Sequence, residues 1–119
     1  MKSFTIMGKL PTLNDYTNSN RTHWGAGAAM KANATRAAAI ACKGIEIPDD
    51  KQLMLHYEWH VSTKHDLDNI SFGQKFVQDG LKMAGVIKDD SPKYIVGFTH
   101  KFVRVDKGKD KVIINIETL

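Results

Sequence analysis

Leu53-Met54-Leu55-His56-Tyr57-Glu58-Trp59-His60-Val61 is the stretch whose reading decides the fold. Leu53, Leu55, Tyr57, Trp59 and Val61 alternate with Met54, His56, Glu58 and His60. Successive side chains of an extended chain point to opposite faces, so this pattern predicts a strand with one buried face and one partly open face. The buried face needs a covering layer, and the chain supplies one downstream. Between Asn69 and Ala84, the residues Ile70, Gly73, Val77, Gly80, Leu81 and Ala84 form one helical face, widened by Phe72, Phe76 and Met83. Gly85 closes that helix.

Upstream, Phe4 and Ile6 alternate within Met1 to Lys9 and predict a first strand, which Leu10-Pro11-Thr12-Leu13-Asn14-Asp15-Tyr16 then breaks. Thr17 to Gly25 is polar and reads as a loop carrying Arg21, His23 and Trp24. The alanine-rich run from Ala26 to Lys43 has high helix propensity and stops at Gly44. Beyond the second helix, Asp89-Asp90-Ser91-Pro92 makes a turn. Tyr94 to Val105 and Lys111 to Glu117 read as two strands joined by a hairpin turn, Asp106-Lys107-Gly108-Lys109-Asp110. The expected order is β-α-β-α-β-β. This is an α+β (mixed α/β) fold, a single domain over residues 1–119, with a mixed, largely antiparallel sheet covered by two main helices.

A chain of 119 residues with a net charge of +4 and a pI near 9.2 is compatible with a polyanionic partner, although charge alone does not demand one. Cys42 is the one cysteine, so no intrachain disulfide forms and secretion gains no support. No apolar run approaches the roughly 18 residues that span a membrane, and Met1 to Leu10 lacks the apolar core of a signal peptide. The expected compartment is the cytoplasm. No glycine-rich phosphate loop is present, so a nucleotide cofactor is not expected.

Against this basic background, acids gather in Lys64-His65-Asp66-Leu67-Asp68-Asn69 and again in Lys88-Asp89-Asp90. If residues 66–68 are extended, Asp66 and Asp68 project from one face roughly 7 Å apart at the backbone, a spacing that suits a divalent cation. The plainer alternatives are that Asp68 is a helix N-cap and Asp66 is solvated. Asp89 and Asp90 are either turn residues or a second acidic pair, returned beside the first by the chain after the helix. Four carboxylates gathered in this way would repel one another without a metal. An EF-hand is excluded, because Ser71 stands where its glycine is needed and Val77 where its bidentate glutamate belongs. Lys75 is either a cation for a phosphate transition state or a solvated helix lysine, and Lys82 is read as the solvated kind. The histidines make no zinc-finger or HExxH spacing. An acidic pocket on a basic surface points towards a metal-dependent nuclease.

At Asp66-Leu67-Asp68-Asn69, Lys75, Asp79-Gly80-Leu81, Ala84-Gly85-Val86 and Asp89-Asp90, the chain resembles the RusA-type Holliday junction resolvases of phages and prophages. Leu10-Pro11-Thr12-Leu13-Asn14-Asp15-Tyr16 is similar to that family's segment after its first strand. The resemblance implies a homodimer that binds four-way DNA junctions and nicks them in pairs with Mg²⁺, Mn²⁺ being an alternative. It implies Asp66, Asp68 and Asp90 as metal-binding acids, Asp89 as a lesser neighbour and Lys75 as the catalytic lysine. Lys75 departs from the family spacing by three residues, a shift of about 4.5 Å and about 60° along a continuous helix.

Phosphate contacts are expected from Arg21, Lys31, Arg36, Lys64, Lys101 and Arg104, with Lys107, Lys109 and Lys111 as further cations. Trp24 or Tyr16 is a candidate for stacking on exposed bases. The alanine-rich helix and a sheet edge near Val112 to Ile116 are candidate dimer interfaces. Competing readings are a flap or other branched-DNA endonuclease, a non-catalytic junction or single-strand DNA-binding protein, and an RNA-binding domain.

Overall fold

The structure, a computed structural model, describes every residue except His23 and Trp24, together with the side chain of Thr22. The strands are β1 (Lys2–Met7), β2 (Leu53–Val61), β3 (Ile95–Arg104) and β4 (Lys111–Thr118). They form one sheet in the order β1-β4-β2-β3. β4 runs antiparallel to both β1 and β2, whereas β2 and β3 are parallel, with Leu53 beside Ile95 and Val61 beside Arg104. The helices are α1 (Leu13–Thr22), α2 (Ala26–Cys42), α3 (Leu67–Ser71) and α4 (Gln74–Met83). No helix among the described residues is long and apolar enough to cross a membrane.

The α+β class and the mixed sheet agree with the expectation from alternation. Leu53, Leu55, Tyr57 and Trp59 are buried on one face of β2, and Met54, His56, Glu58 and His60 are half-buried on the other. The buried face joins Phe4, Ile6, Ile114 and Ile116 and is covered by Ala38 and Cys42 of α2 and by Ile70, Val77 and Leu81 of α3 and α4. Each such aliphatic or aromatic side chain contributes about 1.5–3 kcal/mol when fully removed from water. Gly80 lets α4 cross α2 closely, because a Cβ there would lie 2.5 Å from that of Ala38.

Several local expectations are corrected. The polar stretch read as a loop from Thr17 continues a helix that starts at Leu13. Thr12 and Asp15 cap it reciprocally: the Thr12 N–H donates to Asp15 Oδ2 at 3.0 Å, and the Asp15 N–H donates to Thr12 Oγ1 at 3.2 Å. The single helix expected from Asn69 is two, α3 and α4. At the junction, Gly73, Lys75 and Phe76 donate to the carbonyls of Ile70, Phe72 and Gly73, a tightened i to i+3 pattern. Gly73 belongs there because an added Cβ would meet the Trp59 ring at 3.0 Å.

The expected hairpin is also corrected. Asp106 to Asp110 does turn, with Gly108 at φ 87° and the Lys109 N–H donating to the Asp106 carbonyl. However, β3 and β4 do not pair; β2 lies between them. The same order makes β4 an interior strand, so Val112 to Ile116 is not a sheet edge.

Candidate active site

The parallel β2–β3 pair fixes where the acids lie. After Val61 the chain leaves the C-terminal end of β2, and α3 begins at once, with Asp66 as its N-cap residue. Asp66 has extended φ and ψ of −63° and 147°, and its carbonyl accepts the N–H groups of Asn69 and Ile70. Its carboxylate makes no capping bond. Asp68 sits inside the first turn of α3 and is not the N-cap; its Oδ1 accepts the Asn69 N–H at 3.0 Å. The two acids are therefore not a same-face pair on an extended chain. Both are exposed, and among the described residues neither carboxylate has a cation within salt-bridge distance.

Asn69 supports this end. It is buried, and its Oδ1 accepts the backbone N–H of Asn14 at 2.9 Å, docking the start of α1 onto α3. Tyr16 is half-buried and packs on Phe72 and Phe76 with ring centroids 5.8 and 6.4 Å away, so its ring joins α1 to the end of α3 and the start of α4. Trp24 lies outside the described residues. Asn14, Lys64, His65, Asp66 and Asn69 line a polar depression of about 330 Å³. A neighbouring cavity of about 300 Å³ shares His65 and is edged by Lys9, His60 and Lys111 against Trp59 and Ile70.

The loop below is anchored by Asp110. Its carboxylate accepts the Ser62 N–H at 3.0 Å and the Ser62 hydroxyl at 2.7 Å. Burial pushes the Asp110 carboxyl upward, but the Ser62 bonds and the Lys9 ammonium outweigh this and hold it below its ordinary value.

Asp89 and Asp90 are elsewhere. α4 runs back along the sheet, and Val86 and Ile87 are buried before the turn that leads into β3. The pair therefore lies towards the N-terminal ends of β2 and β3. From Leu53 to Val61, β2 covers about 26 Å at about 3.3 Å per residue. The expectation that the two acidic pairs meet within one chain is corrected, and with it the mutual repulsion of four carboxylates. Lys82, read as solvated, instead places its Nζ 3.6 Å from Asp89 and 3.9 Å from Asp90. The Asp90 N–H and the Ser91 hydroxyl, with the Lys82 charge, hold the Asp89 carboxyl below its ordinary value.

Lys75 stands in the first turn of α4, just past the Gly73 junction, with Nζ 3.8 Å from Asp79. Arg21 and Arg36 are exposed on α1 and α2, and Lys31 is half-buried on α2. Lys64 borders the depression itself. Arg104, opposite Val61, lies at the same end of the sheet as Asp66, and Lys101 pairs with Glu58 three residues earlier in β3. Lys64 thus lines the same depression as Asp66, Arg104 lies at the same end of the sheet, and Arg21, Lys31 and Arg36 lie on the helical layer.

For a divalent cation, carboxylate and amide oxygens are the right donors in kind, since Mg²⁺ takes hard oxygen ligands. In number they fall short, because no group of three or more His, Cys, Asp or Glu side chains converges among the described residues. One chain does not assemble the three-acid set. No family model and no curated protein matches the chain.

Proposed function

We propose that the chain is a structure-selective endodeoxyribonuclease that resolves four-way DNA junctions by paired, Mg²⁺-dependent phosphodiester hydrolysis, with Mn²⁺ as an alternative ion. It acts as a homodimer in the cytoplasm. The observation that carries this reading is the pair of exposed carboxylates without cationic partners, Asp66 and Asp68, beside Lys64 and His65. Carboxylates left without cationic partners on a basic protein suit a cation supplied with the substrate. The similarity of Asp66-Leu67-Asp68-Asn69 and Asp89-Asp90 to the resolvase motif supports the same choice.

A divalent ion, when bound, supplies charge neutralisation at the phosphoryl oxygens and an activated water. The chain's own residues hold and orient: Asn69 fixes α3 against α1, and Lys64 and Arg104 attract the phosphate backbone. Lys75 steadies charge developing on the phosphate, with Asp79 fixing its position. A non-catalytic junction-binding protein is the second reading, favoured because no three-acid group converges among the described residues of one chain. The test is a panel of labelled four-way junction, flap, single strand and duplex, each incubated with Mg²⁺. Selective cutting of the junction supports the resolvase; cutting of flaps alone makes it a flap endonuclease; binding of the junction without cutting favours the second reading.

A further inference from the structure

We propose that the cavity at the end of the sheet receives one unpaired nucleotide of DNA, its base against an apolar wall and its phosphate on Lys9 and Lys111. The ligand class follows from the lining; that the nucleotide belongs to DNA rests on the nuclease reading above. The cavity, of about 300 Å³, forms where the chain leaves β1, β2 ends and β4 begins. Leu10, Trp59, Val61, Ile70 and Val112 give it an apolar wall. The Trp59 indole N–H is already donated to His100 Nδ1 at 3.0 Å, so the ring offers the cavity apolar surface. Lys9 and Lys111 complete the lining, and among the described residues neither has a carboxylate within salt-bridge distance. The acid in the lining, Asp15, has its Oδ2 occupied by the Thr12 N–H at 3.0 Å. A ligand matched to these walls carries a flat apolar ring with an anion a short distance away. That is the chemistry of a nucleotide.

Size decides the state of that nucleotide. A volume of about 300 Å³ is at the low end for ligand pockets and takes one nucleotide, not a base pair. A base must therefore leave its partner before it enters. Extruding a base costs a few kcal/mol in a duplex and least where the base is already unpaired. The cavity thereby favours branch points and single strands over intact duplex, which gives structure selectivity a physical source. Its place fits the same role. His65 lines both this cavity and the depression that holds Asp66, so a seated base lays its flanking backbone at the acidic end.

The walls are held in place before any ligand arrives. The Gly8 N–H donates to the Asp110 carbonyl at 2.8 Å, which ties the exit of β1 to the start of β4. The Asp110 carboxylate holds Ser62 at the exit of β2, and Asn69 holds Asn14. With three sides fixed by these bonds, little ordering cost opposes entry of the base.

The test measures binding of the full-length protein, by fluorescence anisotropy in EDTA, to labelled oligothymidylate and to an abasic strand of the same length. The abasic strand keeps every phosphate and lacks every base. Oligothymidylate should bind at least about 10-fold more tightly, the worth of one stacked base at about 1–3 kcal/mol. Equal binding of the two strands by wild type overturns the inference. Thr63 is exposed and borders the cavity, so Thr63→Phe fills its mouth. This variant should bind oligothymidylate no better than the abasic strand; a base preference that survives it overturns the inference. In a Trp24→Phe background, Trp59 fluorescence should change with oligothymidylate and not with the abasic strand, which locates the base without filling the cavity. Lys9→Gln/Lys111→Gln should weaken both strands alike, and unaltered affinity overturns the placement of the phosphate. Displacement of the strand by an equal concentration of thymidine 5′-monophosphate would make the ligand a free nucleotide and overturn DNA as its source. Junction cutting with Mg²⁺ is scored separately. Cutting without base-dependent binding overturns this inference and leaves the nuclease; base-dependent binding without cutting removes the nuclease and leaves a cavity for unpaired nucleotides.

Discussion

Asn69 and Asn14, 55 residues apart, are joined by a hydrogen bond of 2.9 Å from a backbone N–H to a side-chain oxygen. This contact positions the acidic end of α3 against α1. Asn69→Ala removes this bond, and because Asn14 is exposed its N–H can turn to water, so the cost is about 0.5–1.5 kcal/mol. Urea unfolding should show a lower midpoint with an unchanged slope, and cleavage should fall together with it. An unchanged midpoint would mean that the contact does not support the site.

Asp110 should give the fold a dependence on acid. Its carboxyl is held below the ordinary value of 3.8, so its contribution is present above about pH 4 and fades as pH falls through the lower folded value. Asp110→Ala should destabilise by about 1–3 kcal/mol at neutral pH. The gap between variant and wild type should narrow on acidification, measured by thermal unfolding from neutral pH downwards. A gap that widens in acid would contradict the assignment.

At Asp89, the nearest donors matter more than the lysine. The Asp90 N–H and the Ser91 hydroxyl are larger causes of its lowered pKa than Lys82. Ser91→Ala should therefore raise the Asp89 pKa more than Lys82→Gln does, read by NMR titration of the side-chain carboxyl.

Gly80 tests the helix crossing. A methyl group there meets both the Ala38 side chain and the Ala39 backbone nitrogen, at 2.5 and 2.8 Å. Gly80→Ala should cost about 1–3 kcal/mol, despite the better helix propensity of alanine, because the crossing has no room to give.

Much of this fold was legible because burial writes period-two and period-3.6 patterns locally. β2, α2 and the buried face of α4 were readable from side-chain order alone. What escaped had distant causes. α1 is too polar for a periodicity argument, and its visible signal was the reciprocal Thr12 and Asp15 cap. The turn at Gly108 was legible, but not that β2 would lie between the strands it joins, because strand order is decided by non-local pairing. The placement of the acids depends on the same point. An antiparallel β2–β3 pair would have allowed different ends to meet; the parallel pair separates Asp66 from Asp90. Lys82 looked like any helix lysine until the turn after α4 placed Asp89 and Asp90 beside it.

The central claim, that Asp66 and Asp68 form the working end of a junction nuclease, is most directly tested by cleavage of a synthetic four-way DNA junction, with linear duplex as control. Wild type is run with Mg²⁺ and with EDTA, and Asp68→Asn with Mg²⁺. Paired symmetric nicks from wild type with Mg²⁺, lost in EDTA and reduced at least about 100-fold in Asp68→Asn, are the predicted result. Junction binding without cutting in every lane, or undiminished cutting by Asp68→Asn, would contradict it.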